Sequence, residues 1–191
     1  SLRNSDAIYA YHLWSDRVGG TSAGRMRDVE NVQRWDPKHA AYVGDYHARS
    51  MGQVENADIL GYYDFHWKRG GHFRHLMRAW TGATKIDAPF LRYTHANPGL
   101  VGKGNPNRVL YTISTANACG QKGYLYHWAG GLDVKTGAWG PLMHDLAKVN
   151  GEVVHLGEEL MKIGLPTAIH STPLSKTAKD DFVEKPAVPS E

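Results

Sequence analysis

The residues most able to do chemistry fall in four short aromatic runs: Tyr11-His12-Leu13-Trp14, Asp64-Phe65-His66-Trp67, Arg92-Tyr93-Thr94-His95 and Tyr126-His127-Trp128. Flat apolar rings with polar edges suit a ligand that has C–H faces and many hydroxyls, which describes a sugar. The expected substrate-binding set is His12, Trp14, Tyr63, His66, Trp67, Arg92, Tyr93, His127 and Trp128. Trp128 would stack on a ring, while Arg92 and the imidazoles would hold hydroxyls. Asp64 is the candidate acid or base, with Asp16 and Asp133 in neighbouring loops as alternatives. Each residue also has a plainer reading: rings at strand ends cap a core, and an Asp beside tyrosines accepts structural hydrogen bonds. His12, His66, His95 and His127 with Asp64 could instead hold a metal. No H-x-H or H-E-x-x-H spacing supports that, and no metal or cofactor is expected.

These runs need elements that gather them. Asp6–Trp14, Ala57–Trp67, Ala88–His95 and Tyr124–Trp128 are short, apolar and aromatic, and each is followed by polar or Gly-rich residues, as buried strands are. Gly, Arg and Asp without a clean period make 15–35 a long loop. Asp36-Pro37 then has the form of an N-cap and first helical residue, opening a helix to about Val54. His72–Lys85 reads as a helix with Phe73, Leu76, Met77 and Trp80 inward. Asn105-Pro106 opens another to about Cys119, with Gly120 as its C-cap. From Pro141, positions Leu142, Leu146, Val149, Val153, Leu156, Leu160 and Ile163 alternate steps of four and three, one apolar stripe of a long helix.

The expected order is β-α-β-α-β-α-β-α, an α/β fold of four successive βα units with a parallel sheet. In such folds the carboxyl ends of the strands share one face, so the aromatic runs should converge there. Periodicity leaves open whether the sheet is doubly wound or half of an eight-stranded barrel. No G-x-G-x-x-G or G-x-x-x-x-G-K-[ST] follows a strand, which argues against nucleotide binding.

The 191 residues suffice for one domain, and 41% hydrophobic with 21% charged residues is an ordinary globular composition. The net charge of +3 comes from scattered basic residues, so no nucleic-acid partner is expected. No apolar stretch reaches the roughly 18 residues of a membrane span, so no membrane partner is expected either. The single Cys119 permits no internal disulfide and reads as a buried, inert thiol. The polar, Pro-rich 172–191 reads as a linker or disordered tail. Both ends are expected to be cuts from a longer protein; the compartment is left open.

The segment Ala88–Gly164 resembles the end of the catalytic barrel of clan A glycoside hydrolases, especially the β-galactosidase-like family 42. The matching pieces are APFLRYTHANPG, NPNRVLYTISTANACGQKG, YLYHWAGG and GPLMHDLAKVNGEVVHLGEELMKIG. The resemblance implies that residues 1–171 form half of a TIM (β/α)8 barrel, its strands five to eight. It also implies that Trp128 floors a sugar subsite. Retaining enzymes of this kind use two carboxylates roughly 5–5.5 Å apart. The family's acid/base would lie on a strand this chain lacks, and its nucleophile position carries Thr94-His95. His95 therefore joins Asp64 as a catalytic candidate, and the chain alone is expected to hydrolyse nothing. The expected partner is carbohydrate, bound by an incomplete hydrolase barrel or by a non-catalytic binding domain or scaffold. A half-barrel leaves two sheet edges open, so self-association is expected.

Overall fold

The computed structural model describes residues 9–13, 21–46, 48, 51–63, 71–95, 106–127, 132–133 and 135–169. Five strands and four helices follow in the order β1 (Ala10–Leu13), α1 (Ser22–Trp35), β2 (Ala40–Tyr46), β3 (Ile59–Tyr63), α2 (Gly71–Ile86), β4 (Phe90–His95), α3 (Pro106–Ala118), β5 (Gly123–His127) and α4 (Pro141–Lys162). All four strand pairings are parallel, and the sheet order is β1-β2-β3-β4-β5. A doubly wound sheet reverses its strand order partway across. Here the order never reverses, and the sheet curls as a half-barrel with its helices on the outer face.

Two expectations about the first third of the chain are corrected. Residues 22–35, expected as part of a loop, form α1, with Thr21 Oγ1 accepting from the Gly24 amide at 3.1 Å as an N-cap bond. Its apolar positions Met26, Val29 and Val32 make only a narrow stripe among charged residues, too thin to stand out as a period. The helix expected over 37–54 is instead strand β2 and a crossover. Asp36 closes α1 rather than opening a new helix: its amide donates to the Val32 carbonyl at 2.7 Å. Ala41 and Val43 then pack against the helices while Tyr42 faces the other way, a period of two. The spacing of Ala40, Val43 and Tyr46 matches a helix, but a short apolar run fits both periods.

The twelve residues 47–58 carry the chain back from β2 to its parallel neighbour β3, about the least a parallel crossover needs. Ala48, Met51 and Val54 of this crossover are buried in the main core with Val29, Leu60, Leu76, Ala79, Ala83 and Phe90. It lies close on α2: a Cβ placed on Gly82 would sit 2.6 Å from the Met51 carbonyl carbon, so only glycine fits.

A second cluster joins Val109 and Ile113 of α3 to Leu142, Leu146 and Val149 of α4, with Tyr124 and Tyr126 of β5 against it. Both tyrosine hydroxyls donate to Asn150 Oδ1, at 2.8 and 2.7 Å. Gly120 ends α3 with φ of +90°, a conformation other residues rarely adopt, and the Gln121 amide closes the turn on the Ala116 carbonyl. At the far end of α4, Lys122 Nζ donates to the carbonyls of Leu160 and Ile163. The apolar stripe of α4 is as the spacing implies, but only its first half is covered. Leu142 and Leu146 are buried, whereas Leu156 is 58% and Ile163 61% exposed.

Candidate functional site

Strand alternation divides the sheet into two faces. Ala41, Val43, Leu60, Tyr62 and Phe90 meet the helices. The residues between them, with His12 of β1 in register with Tyr42, form the inner face. There Tyr63 and Tyr93 stack with centroids 4.2 Å apart and planes 11° from parallel. His12 lies on the other side of Tyr93, 5.8 Å between centroids, and its Nδ1 is 3.4 Å from the Tyr93 hydroxyl. Tyr42 closes the group, 4.7 Å from His12 and 6.2 Å from Tyr93. Beside it opens a cavity of about 380 Å³ walled by Tyr9, His12, Tyr42, Leu91, Tyr93 and Leu125.

Tyr42 holds its place because β3 has glycine beside it. A Cβ on Gly61 would fall 1.7 Å from the Tyr42 hydroxyl oxygen and 2.2 Å from Cζ. The Tyr42 ring therefore crosses flat over β3 toward β4. Its residue is 4% exposed, and its hydroxyl oxygen is itself buried beside the Tyr93 phenol. Burial, and then the neighbouring Tyr93 and Tyr63 phenols, push its pKa far above the ordinary range, so it remains a proton donor.

Of the expected site residues, His12, Tyr63 and Tyr93 come together on this face. His95 and His127 are register partners at the ends of β4 and β5. Asp64, Trp14, His66, Trp67 and Trp128, like Asp16, lie outside the described residues. The expectation for Arg92 is corrected. Adjacent strand residues point to opposite faces, so Arg92 turns away from Tyr93 and is 1% exposed beneath the helices. Its Nη1 is 2.7 Å from His72 Nδ1 and 3.3 Å from the Thr112 carbonyl oxygen. The Thr115 hydroxyl donates to the Tyr111 carbonyl and so accepts from His72 Nε2 at 2.7 Å. That assigns the proton of His72 to Nε2 and leaves Nδ1 as acceptor for Arg92. Arg92 thus braces β4 against α2 and α3 rather than holding a ligand at the rim.

Asp133 forms a turn: its carboxylate accepts from the amides of Lys135 at 2.8 Å and Thr136 at 3.2 Å, which hold its pKa below the ordinary value. Asp45, the one carboxylate within a described strand, lies on the outer face 3.8 Å from Arg25. The inner face of the described strands therefore carries no carboxylate. Among the described residues no group of three or more His, Cys, Asp or Glu could hold a metal ion.

Two features escape the sequence. Spacing alone puts Tyr42 on a helix, and only its strand alternation shows that it belongs with Tyr93. On the other face of β1 from His12, Tyr11, Asp36 and His39 form a brace. Asp36 Oδ2 accepts from the Tyr11 hydroxyl at 2.8 Å and pairs with His39 Nδ1 at 2.9 Å, and Asp36 is 0% exposed. Burial alone would raise the Asp36 pKa, but the bonds from Tyr11, His39 and the Lys38 amide hold it below the ordinary value. This brace ties the edge strand β1 to the end of α1. No described helix is long and apolar enough to cross a membrane. Comparison with protein-family models, curated proteins and solved structures finds no match to this chain.

Proposed function

We propose that the inner face of this half-barrel binds carbohydrate, as part of a glycoside-hydrolase-like barrel, and that the chain alone binds without cleaving. The observation that carries this is the cluster of Tyr63, Tyr93, His12 and Tyr42 rings beside a cavity on the inner face. Aromatic rings offer a sugar's C–H face an apolar surface, and Tyr93 and His12 offer hydrogen bonds to its hydroxyls. A cavity of about 380 Å³ suits a compact ligand of one or two rings. Hydrolysis with retention needs paired carboxylates, and the inner face of the described strands offers none.

The test is calorimetric titration with a panel of mono- and disaccharides. A saturable heat with one of them is expected, weakened at least tenfold in Tyr93→Leu, which removes the ring and hydroxyl on the cavity wall. No binding by any sugar at about 10 mM, or equal affinity in Tyr93→Leu, would refute the reading. Hydrolysis of an aryl-glycoside by the 191 residues, abolished in Asp64→Asn, would show that the chain cleaves by itself.

A further inference from the structure

The inner-face cavity has two unlike walls. His12, Tyr42 and Tyr93 bring rings with polar edges, whereas Ile59, Leu91 and Leu125 are aliphatic. The aliphatic wall is seated over a glycine, as Tyr42 is. Gly123 of β5 is the register partner of Leu91 on β4. A Cβ on Gly123 would fall 2.8 Å from Leu91 Cδ2, so the Leu91 side chain leans toward β5 into the space that glycine leaves. Leu125 lies two residues along β5 and therefore on the same face, which brings the two leucines side by side. Leu125 is 41% exposed.

These walls constrain what fills the cavity. A free monosaccharide carries hydroxyls around the whole rim of its ring. Placed here, it turns some of them onto Leu91, Leu125 and Ile59, where they lose water and gain no partner. An apolar substituent on the sugar removes that cost, and its own burial against the leucines is favourable. Among the described residues the wall carries no Asp, Glu, Lys or Arg, so it offers no fixed counter-charge to an acidic or amino sugar.

We propose that the ligand of this cavity is a neutral glycoside bearing an alkyl or aryl group, its hydroxyls held at Tyr93 and His12 and its apolar group along Leu91 and Leu125. The proposal rests on the carbohydrate reading of the inner face and adds the class of ligand. Strand register supports the division: Leu125 is the β5 partner of Tyr93. An apolar group on Leu125 therefore lies one strand spacing, about 4.8 Å, from hydroxyls bonded at Tyr93, which is within the reach of a single glycosidic linkage.

The test is calorimetric titration of the 191-residue chain with methyl and hexyl β-glucosides and β-galactosides, and with hexanol as the chain without the sugar. Each buried methylene is worth about fourfold in affinity, so one hexyl glycoside should bind at least about tenfold more tightly than its methyl counterpart. It should also bind more tightly than hexanol. Leu125→Asn, at a half-exposed position, should lower the hexyl-to-methyl ratio by about threefold or more. Methyl and hexyl glycosides of equal affinity would overturn the proposal and leave the carbohydrate reading standing. Hexanol binding as tightly as the hexyl glycosides would overturn both, because the sugar would then contribute nothing. A ratio unchanged in Leu125→Asn would place the apolar group elsewhere and also overturn it. Should Leu125→Asn fail to fold, the wild-type series decides the matter alone.

Discussion

Gly61→Ala isolates the contact on which the inner face depends. The added methyl would lie 1.7 Å from the Tyr42 hydroxyl oxygen, 2.2 Å from Cζ and 2.4 Å from Cε2. Carbon atoms in contact sit about 3.5–4.0 Å apart, so the ring must leave the face or the strands must separate. Overpacking of this kind costs about 1–3 kcal/mol. For a domain of this size that lowers the melting temperature by roughly 2–12 °C. Calorimetry on the wild type and the single and double variants reads the coupling. Tyr42→Leu removes all three clashing atoms, so in that background Gly61→Ala should cost nothing and should even stabilise by up to about 1 kcal/mol, as alanine does over glycine in a strand. Tyr42→Phe removes the 1.7 Å contact but keeps Cζ and Cε2, so it should give only partial relief. If Gly61→Ala costs the same in Tyr42→Leu as in the wild type, within about 0.5 kcal/mol, Tyr42 does not lie across β3 and the site is wrongly assembled.

Two further outcomes follow from buried groups. The folded-state pKa of Asp36 is depressed below the ordinary 3.8, so its stabilisation is complete above that value and is lost as pH falls through the folded pKa. Acid unfolding followed below pH 4 should therefore be shallower in Asp36→Asn than in the wild type; identical acid limbs would remove the Tyr11–Asp36–His39 brace as a source of stability. Burial pushes the Cys119 thiol from 9.0 up to about 11, leaving about 100-fold less thiolate at neutral pH. A disulfide reagent should modify the folded chain about two orders of magnitude more slowly than the unfolded one, and a ratio near one would place Cys119 at the surface.

Some elements follow from local sequence alone. The stripe from Leu142 to Ile163 repeats over many turns, so α4 is legible, as are α2 and α3 with Gly120 at its end. The strands β3, β4 and β5 stand out because parallel strands are apolar on both faces. The parallel βα order, and a half-barrel as one of two architectures, are likewise within reach.

The rest is decided by packing between distant segments. Residues 40–46 suit a helix or a strand by spacing, and they become β2 because β1 and β3 supply partners on both sides. Arg92 and Tyr93 are neighbours in the chain, yet the sheet sends one under the helices and the other to the inner face. Tyr42 joins Tyr93 only because Gly61, on a strand between them, offers no side chain. Local sequence sets which period a segment can adopt. Which face each residue lands on, and what it meets there, depends on strand order and register, and those are settled only when segments far apart in the chain pack together.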